Sequence, residues 1–297
     1  MKEMEQTSVV LLHLQQWAEN QESVRAMLLT SSRTNTNAKV DIFSDYDVIL
    51  VVKDIHPFLN DRKWLQDFGE VLVTYWDPIH PIPEYGMEIV ANVIQYADGL
   101  HIDFNLWPIE LLRQIVKATR LPNGLDDGYT ILVDKDHLTE GMAKPTYQAY
   151  IPKPPTEDEY HKVIEDFFSD VPYVVKCLKR DELMPAKWCL DFDMKQNFLR
   201  QMLVWQIEID HNWSAPEGNL GKGLKKKLPL SIWTELENTY AAAGIEENWE
   251  ALFRMLALFR KVGIGVANHL KFDYPLELDE GVRAYAQKMK YIELITG

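Results

Sequence analysis

Two short runs of sequence decide the fold of this chain: LLTSSRTN at residues 28–35 and SDYDVILVV at residues 44–52. The first is an apolar segment that ends in a hydroxyl-rich turn, and the second is an apolar segment that begins with two aspartates. Because residues two apart on a β-strand point to the same face of the sheet, Asp45 and Asp47 would lie side by side. Neighbouring carboxylates repel each other unless a cation lies between them, and hard oxygen ligands suit Mg²⁺. The second run therefore predicts a metal site at the start of a strand.

The turn that ends the first run has the composition of a phosphate-binding loop. Its backbone N–H groups and the hydroxyls of Ser31 and Ser32 suit phosphate oxygens, and Arg33 could add a positive charge. The alternative is an ordinary turn, in which these side chains only cap the next element. A metal site next to bound phosphate is typical of a nucleotidyltransferase.

These two motifs also carry a resemblance to a known family. A small-residue turn followed by Asp-x-Asp on a strand resembles the polymerase-beta-type nucleotidyltransferase superfamily. Within this superfamily, the segments Ser32–Asn35 and Asp45–Asp47 are similar to those of the aminoglycoside (streptomycin) 6-adenylyltransferases. Further similar segments extend the resemblance over most of the chain: Phe68–Gly69, Leu132–Asp136, Tyr173–Lys176, Gly221–Lys222 and Ala257–Lys261.

The resemblance implies a fold and a reaction. The fold is of the α+β class, with an N-terminal mixed-sheet nucleotidyltransferase domain followed by an all-helical bundle domain. The reaction is transfer of AMP from ATP to a hydroxyl of an aminoglycoside, in particular the 6-hydroxyl of streptomycin, with release of pyrophosphate. The expected cofactor is Mg²⁺, as two ions held by three carboxylates. The consequence for a cell would be antibiotic resistance.

The family pattern also assigns roles to three residues outside the two runs. Asp103, in the alternating segment 100–106, matches the third carboxylate, which would ligate metal and accept the proton of the attacking hydroxyl. Lys222, in the basic glycine-rich loop 218–227, would reach the triphosphate. Asp191 would contact the substrate from the helical half. The alternatives are an exposed strand residue for Asp103 and a solvated loop for Lys222.

One position departs from the family pattern. The family has Gly-Ser at the turn, whereas this chain has Ser31-Ser32. Since glycine allows the backbone to approach phosphate closely, Ser31 bears directly on nucleotide binding.

Composition narrows the classes of partner. The 297 residues carry a net charge of −14, which does not favour nucleic-acid binding but would attract a polycationic substrate, unless it serves solubility alone.

Cys177 and Cys189 have no metal-type spacing, and the histidines show no zinc pattern. With neither a leader pattern nor an apolar run of about 20 residues, the sequence predicts a cytoplasmic protein without a membrane span.

Hydrophobic periodicity and turn signals divide the chain at the proline-rich segment 151–155, which predicts a domain 1–150 and a helical substrate-binding domain 151–297. Residues 156–159 have the form of a capping box that opens a helix. The remaining predicted elements are helices at 9–17, 64–68, 108–118, 194–210, 231–243 and 246–270, strands at 24–29, 46–52, 71–76, 88–95 and 100–106, and a proline-containing loop at 77–86.

Two alternatives to the family reaction stay open from the sequence. The same chemistry could use another acceptor, such as a different aminoglycoside, a lincosamide, a metabolite or a protein hydroxyl. The chain could instead be a non-catalytic nucleotide-binding or interaction protein with a decayed turn at Ser31. The sequence leaves the oligomeric state open.

Overall fold

The computed structural model describes residues 2–35, 38–82 and 84–293, with side chains from residue 7 onward. Contacts between Cα atoms divide the chain into two compact units, Met1–Tyr150 and Ile151–Gly297. Among the described residues, none of the helices is long and apolar enough to cross a membrane.

Within the described residues, the first unit is built on one seven-stranded mixed sheet with the order β3-β5-β6-β2-β1-β7, and β4 pairs with β5. Its central pair, β2 and β6, is parallel, and the other pairs are antiparallel. The strands are β1 (Val24–Thr30), β2 (Tyr46–Val52), β3 (Val71–Trp76), β4 (His80–Ile82), β5 (Met87–Tyr96), β6 (His101–Pro108) and β7 (Tyr129–Asp134). The helices are α1 (Lys2–Asn20), α2 (His56–Asn60), α3 (Ile109–Lys117) and α4 (Asn123–Asp126), with 3-10 turns at Ser31–Arg33 and Lys63–Phe68.

The two faces of this sheet bury separate cores. One face packs Val48, Leu50 and Phe104 against side chains of α1 and of the 3-10 turn Lys63–Phe68. The opposite face packs Ile49 and Val51 against α3 and α4. Because both faces are covered, β1 and β2 consist almost entirely of apolar residues rather than alternating ones. The paired strands predicted at 24–29 and 46–52 are confirmed.

The second unit consists of helices around a single core of aromatic and aliphatic side chains. Phe167 stacks on Phe259 with ring centroids 3.7 Å apart, and Tyr160 donates a hydrogen bond to the carbonyl of Gly263 at 2.9 Å. Its elements are α5 (Glu157–Lys179), α6 (Leu183–Lys187), a π-helical segment (Trp188–Leu199), α7 (Arg200–Asp210), a 3-10 turn (Asn219–Gly221), α8 (Leu224–Lys227), α9 (Leu230–Glu237), α10 (Ile245–Leu270) and α11 (Leu276–Tyr291).

The predicted capping box is confirmed at the start of α5. The Thr156 hydroxyl accepts from the backbone N–H of Glu159 at 3.2 Å, and the Glu159 carboxylate accepts from the backbone N–H of Thr156 at 2.8 Å. These bonds satisfy N–H groups that the first turn of a helix leaves without partners.

Candidate active site

The central parallel strand pair brings the predicted carboxylates together. In the register of β2 and β6, Asp47 lies directly opposite Asp103, so the two side chains share one face of the sheet. This is the face that α3 and α4 cover further along the strands, where Ile49 and Val51 point the same way. Asp45 immediately precedes β2 and lies near the same end of β6.

A histidine connects two of these acids. His101 Nε2 lies 2.9 Å from Asp103 Oδ1, and His101 Nδ1 lies 3.6 Å from Asp45 Oδ1. Potential ligand atoms of Asp45, His101 and Asp103 all lie within 4.8 Å of one another. His101 has no role in the sequence analysis, although it stands two residues before Asp103 on the same strand. That spacing, which places both side chains on one face, is the signal that could have identified it.

The carboxyl of Asp47 is electrostatically strained. Burial, followed by the nearby charges of Asp103 and Asp45, raises its pKa to about 6, against an opposing hydrogen bond with Ser31. Burial also raises the pKa of Asp103, although the charge and hydrogen bond of His101 partly offset this. Half-buried carboxylates that repel one another are the environment that a divalent cation relieves, and their oxygens suit Mg²⁺. Asp45, Asp47 and Asp103 could therefore hold a metal.

The turn after β1 has a backbone conformation that favours glycine. Ser31 has φ of +59°, in the left-handed region that most residues avoid. Its carbonyl accepts hydrogen bonds from the N–H groups of Thr34 at 3.0 Å and Asn35 at 3.1 Å. Glycine would adopt this conformation without strain, whereas this chain holds it with a serine. In return, the Ser31 side chain interacts with Asp47.

Arg33 is fully engaged within the first unit. Its guanidinium donates to the carbonyls of Asp45 at 2.9 Å and Ser44 at 2.6 Å, and it stacks 3.7 Å above the ring centre of Tyr46. It therefore ties the Ser31–Arg33 turn to the backbone that leads into β2. A bond to phosphate would have to replace one of these contacts.

The remaining two predicted site residues lie in the helical unit. Lys222 is exposed after the 3-10 turn Asn219–Gly221 and lines a small pocket with Glu208 and Glu217. Asp191 lies in the π-helical segment between two lysines, Lys187 and Lys195, each with its Nζ atom 2.7 Å from a carboxylate oxygen. Burial alone would raise the pKa of Asp191, but these hydrogen bonds keep it below its usual value. The Asp191 carboxylate is thus already neutralised within its own unit.

Comparison with known proteins identifies the family of this chain. Residues 3–289 match the family described as streptomycin adenylyltransferase. An aminoglycoside 6-adenylyltransferase of Bacillus subtilis (strain 168) is 32% identical over 272 residues, covering 91% of this chain and 93% of that protein. A protein of the same name from Campylobacter jejuni is 31% identical over 280 residues, covering 93% of each. A crystal structure of an aminoglycoside 6-adenyltransferase from Bacillus subtilis is 26% identical with a TM-score of 0.45, over 95% of this chain and 97% of that chain. The family match over residues 3–289 and the two relatives above 30% identity show that the chain belongs to the streptomycin adenylyltransferase family and is an adenylyltransferase.

Proposed function

We propose that this chain transfers AMP from Mg-ATP to a hydroxyl of an aminoglycoside, with the 6-hydroxyl of streptomycin as the expected acceptor. The observation that carries the proposal is that Asp47 and Asp103 lie opposite each other on one sheet face, next to the Ser31–Arg33 turn. Asp45, which immediately precedes β2, has a carboxylate oxygen within 4.8 Å of the Asp103 carboxylate. Relatives at 32% and 31% identity that are named aminoglycoside 6-adenylyltransferase supply the class of acceptor. The net charge of −14 favours a polycationic substrate, and the need for ATP and Mg²⁺ favours the cytoplasm.

The proposed reaction is an in-line displacement at the α-phosphorus of ATP. The acceptor oxygen forms a bond to that phosphorus, its proton passes to Asp103, and the bond to the β-phosphate bridging oxygen breaks. Pyrophosphate leaves with that bonding electron pair, and AMP stays on the acceptor. Asp45, Asp47 and Asp103 would hold Mg²⁺, as one ion or two, which when bound would neutralise charge on the phosphates.

The surrounding residues position these groups. His101 Nε2 contacts Oδ1 of Asp103 at 2.9 Å, which would orient the carboxylate for its role as base. The N–H groups of Ser31 and Ser32 and the hydroxyl of Ser32 would hold the triphosphate, and Lys222 is proposed to add a positive charge from the helical unit. Arg33 would act by holding the turn in place. Catalysis then rests on positioning and charge neutralisation.

The test is pyrophosphate release by the purified chain with Mg-ATP, with and without streptomycin and a panel of other aminoglycosides. We expect release that depends on an aminoglycoside, together with an AMP-modified product detected by mass spectrometry. Release with another class of hydroxyl acceptor would keep the chemistry and refute the aminoglycoside. ATP binding without release for any acceptor would favour the non-catalytic alternative.

Asp103→Asn tests the role of the third carboxylate in the same assay. Because the amide cannot accept the proton, we expect transfer to fall by about 10²-fold or more. The fold should survive, since Asp103 is partly exposed, and most of the affinity for ATP should remain. Turnover at the wild-type rate in this variant would refute the assignment of Asp103 as base.

A further inference from the structure

The sheet register places one residue from each of five strands in a single row that crosses the active site. In order across the sheet, the row contains Thr30 of β1, Asp47 of β2, Asp103 of β6, Val93 of β5 and Tyr75 of β3. Residues directly opposite each other on neighbouring strands point to the same face. The face that carries the acids therefore continues beyond Asp103 to Val93 and Tyr75.

This continuation is apolar and open to solvent. Tyr75 is 62% exposed, Val73 on the same face of β3 is 61% exposed, and Val93 is 37% exposed. We call Val73, Tyr75 and Val93 the apolar shelf. Val93 lies directly opposite Asp103, and Tyr75 is one strand further, about 10 Å from Asp103 at the usual strand spacing. An aromatic ring at this distance can contact a molecule whose hydroxyl lies at Asp103.

The order of the row matches the order of groups in an in-line displacement. The Ser31–Arg33 turn continues β1 directly after Thr30, so it lies on one side of the acids. The shelf lies on the other side, beyond Asp103. Attacking and leaving oxygens in phosphoryl transfer are roughly in line. If the turn holds the departing pyrophosphate, the acceptor enters from the side of the shelf.

We infer that the apolar shelf is the binding surface for the acceptor ring whose hydroxyl is modified, an inference that rests on the function proposed above. A sugar-like ring can lay its C–H face on Tyr75 and Val93, and the tyrosine hydroxyl can hydrogen-bond a ring substituent. An ammonium or guanidinium group of the acceptor is attracted to the face of the Tyr75 ring, and the Asp45 carboxylate beside His101 adds negative charge to the site. The shelf thus suits a polyhydroxylated cation better than an anionic ligand.

The test compares three variants of β3 in the pyrophosphate-release assay. Tyr75→Ala should raise the KM for the aminoglycoside by about three- to tenfold while leaving the KM for ATP within about twofold. Tyr75→Phe, which keeps the ring, should retain most of the affinity for the acceptor. Thr74→Ala is the matched control: it is an exposed position on the same strand that points to the opposite face, and its KM values should not change.

The possible outcomes separate this inference from the proposed function. An unchanged acceptor KM in Tyr75→Ala, measured on an active wild-type reaction, overturns the role of the shelf alone. An increase in the KM for ATP instead of the acceptor also overturns it, since the shelf would then bind the nucleotide. A wild-type chain that releases no pyrophosphate with any aminoglycoside overturns the proposed function and this inference with it. Because Tyr75 is mostly exposed, thermal unfolding of its variants should match that of the wild type.

Discussion

At the scale of single residues, Ser31 combines backbone strain with a contact to Asp47, one of the proposed metal ligands. Its φ of +59° costs a non-glycine residue about 1 kcal/mol or more, while its side chain interacts with Asp47. The two effects have opposite consequences for a replacement by glycine. The backbone gains freedom from strain, and the carboxylate loses one hydrogen-bond partner.

Replacement of Ser31 by glycine should therefore stabilise the protein without loss of activity. We expect Ser31→Gly to raise the free energy of unfolding by up to about 1 kcal/mol, measured by urea denaturation. Turnover should stay at the wild-type level or rise, because glycine brings the backbone closer to phosphate. Ser31→Ala is the control, since it loses the hydroxyl but keeps the strain. A large loss of turnover in both variants would instead show that the hydroxyl has a role of its own.

The raised pKa of Asp47 makes a further prediction about stability and pH. Its carboxyl titrates near 6 in the folded, metal-free protein and near 3.9 when unfolded. Between these values the folded state binds more protons, so the free energy of unfolding falls as pH rises from about 4 through 6. Above pH 6 the destabilisation from this group is at most about 3 kcal/mol.

Asp47→Asn removes this charge and tests whether the ionised carboxylate lowers the free energy of unfolding. In EDTA at pH 7.5, we expect the variant to unfold at a higher temperature than the wild type, and near pH 4 the difference should disappear. Mg²⁺ should stabilise the wild type at pH 7.5 and have little effect on the variant, which should also lose transfer activity. Equal melting temperatures in EDTA at pH 7.5 would show that neither burial nor the charges of Asp103 and Asp45 destabilise the ionised Asp47 carboxylate.

At the scale of elements, Arg33 links the Ser31–Arg33 turn to the strand that carries the acids. Its two hydrogen bonds to main-chain carbonyls and its stacking on Tyr46 use the planar guanidinium, which lysine cannot reproduce. If Arg33 has this structural role, Arg33→Lys should change stability and kcat. If Arg33 binds phosphate, the same variant should change the KM for ATP.

We expect Arg33→Lys to lower kcat by misplacing Asp45 and to reduce the free energy of unfolding by about 1–3 kcal/mol. The KM for ATP should change little, since the lost contacts are to the protein. Steady-state kinetics and urea denaturation of the same preparation measure both effects. Normal stability combined with a strongly raised KM for ATP would instead identify Arg33 as a phosphate ligand.

The elements that were predictable from sequence are those with a strong apolar period. The strands β1, β2, β3, β5 and β6 lie within one or two residues of their predicted bounds, because each contributes a run of apolar or alternating residues. The strand β4 lies in the segment predicted as a loop. Its three residues include Pro81, and a proline within a short run argues against a strand except at a sheet edge. β7 was not assigned as a strand, although its sequence Leu132–Asp134 was part of the family resemblance.

The helical half shows a different reason for failure. The helix predicted to begin at residue 194 is continuous with a π-helical segment from Trp188, where i→i+5 hydrogen bonds shift the apolar period away from 3.6. The final helix α11 was not predicted because its fully buried residues are few and include Asp279, which is paired with Arg260 and Arg283. A buried charge on a polar helix leaves no apolar stripe to detect.

The same contrast applies to the active site. The shared face of Asp45 and Asp47 was predictable because spacing within a strand decides which face side chains share, whereas Asp103 was assigned from the family resemblance. The spacing of His101 and Asp103 on β6 was also visible in the sequence, but the approach of His101 to Asp45 and the engagement of Arg33 depend on how strands and turns pair in three dimensions. Lys222 and Asp191 remain proposals in the helical unit, where Asp191 already pairs with two lysines.

At the scale of the whole molecule, the dominant property is the net charge of −14. A negative field attracts a polycationic acceptor from a distance and repels the anionic Mg-ATP, so the two substrates should respond differently to salt. Between about 0.01 and 0.15 M ionic strength the Debye length falls from about 30 to 8 Å, which screens the long-range part of the attraction. The KM for the aminoglycoside should therefore rise several-fold over this range, while the KM for ATP should stay level or fall.

Initial rates of pyrophosphate release in KCl, repeated in potassium glutamate to separate ionic strength from anion binding, measure both constants. If both KM values rose with salt to the same extent, salt would be acting on the enzyme in general and not on its attraction for the cationic acceptor. An acceptor KM that does not change with salt would mean that short-range contacts dominate. In that case the surplus of acidic residues serves solubility, and recognition of the acceptor depends on surfaces such as the apolar shelf beside Asp103.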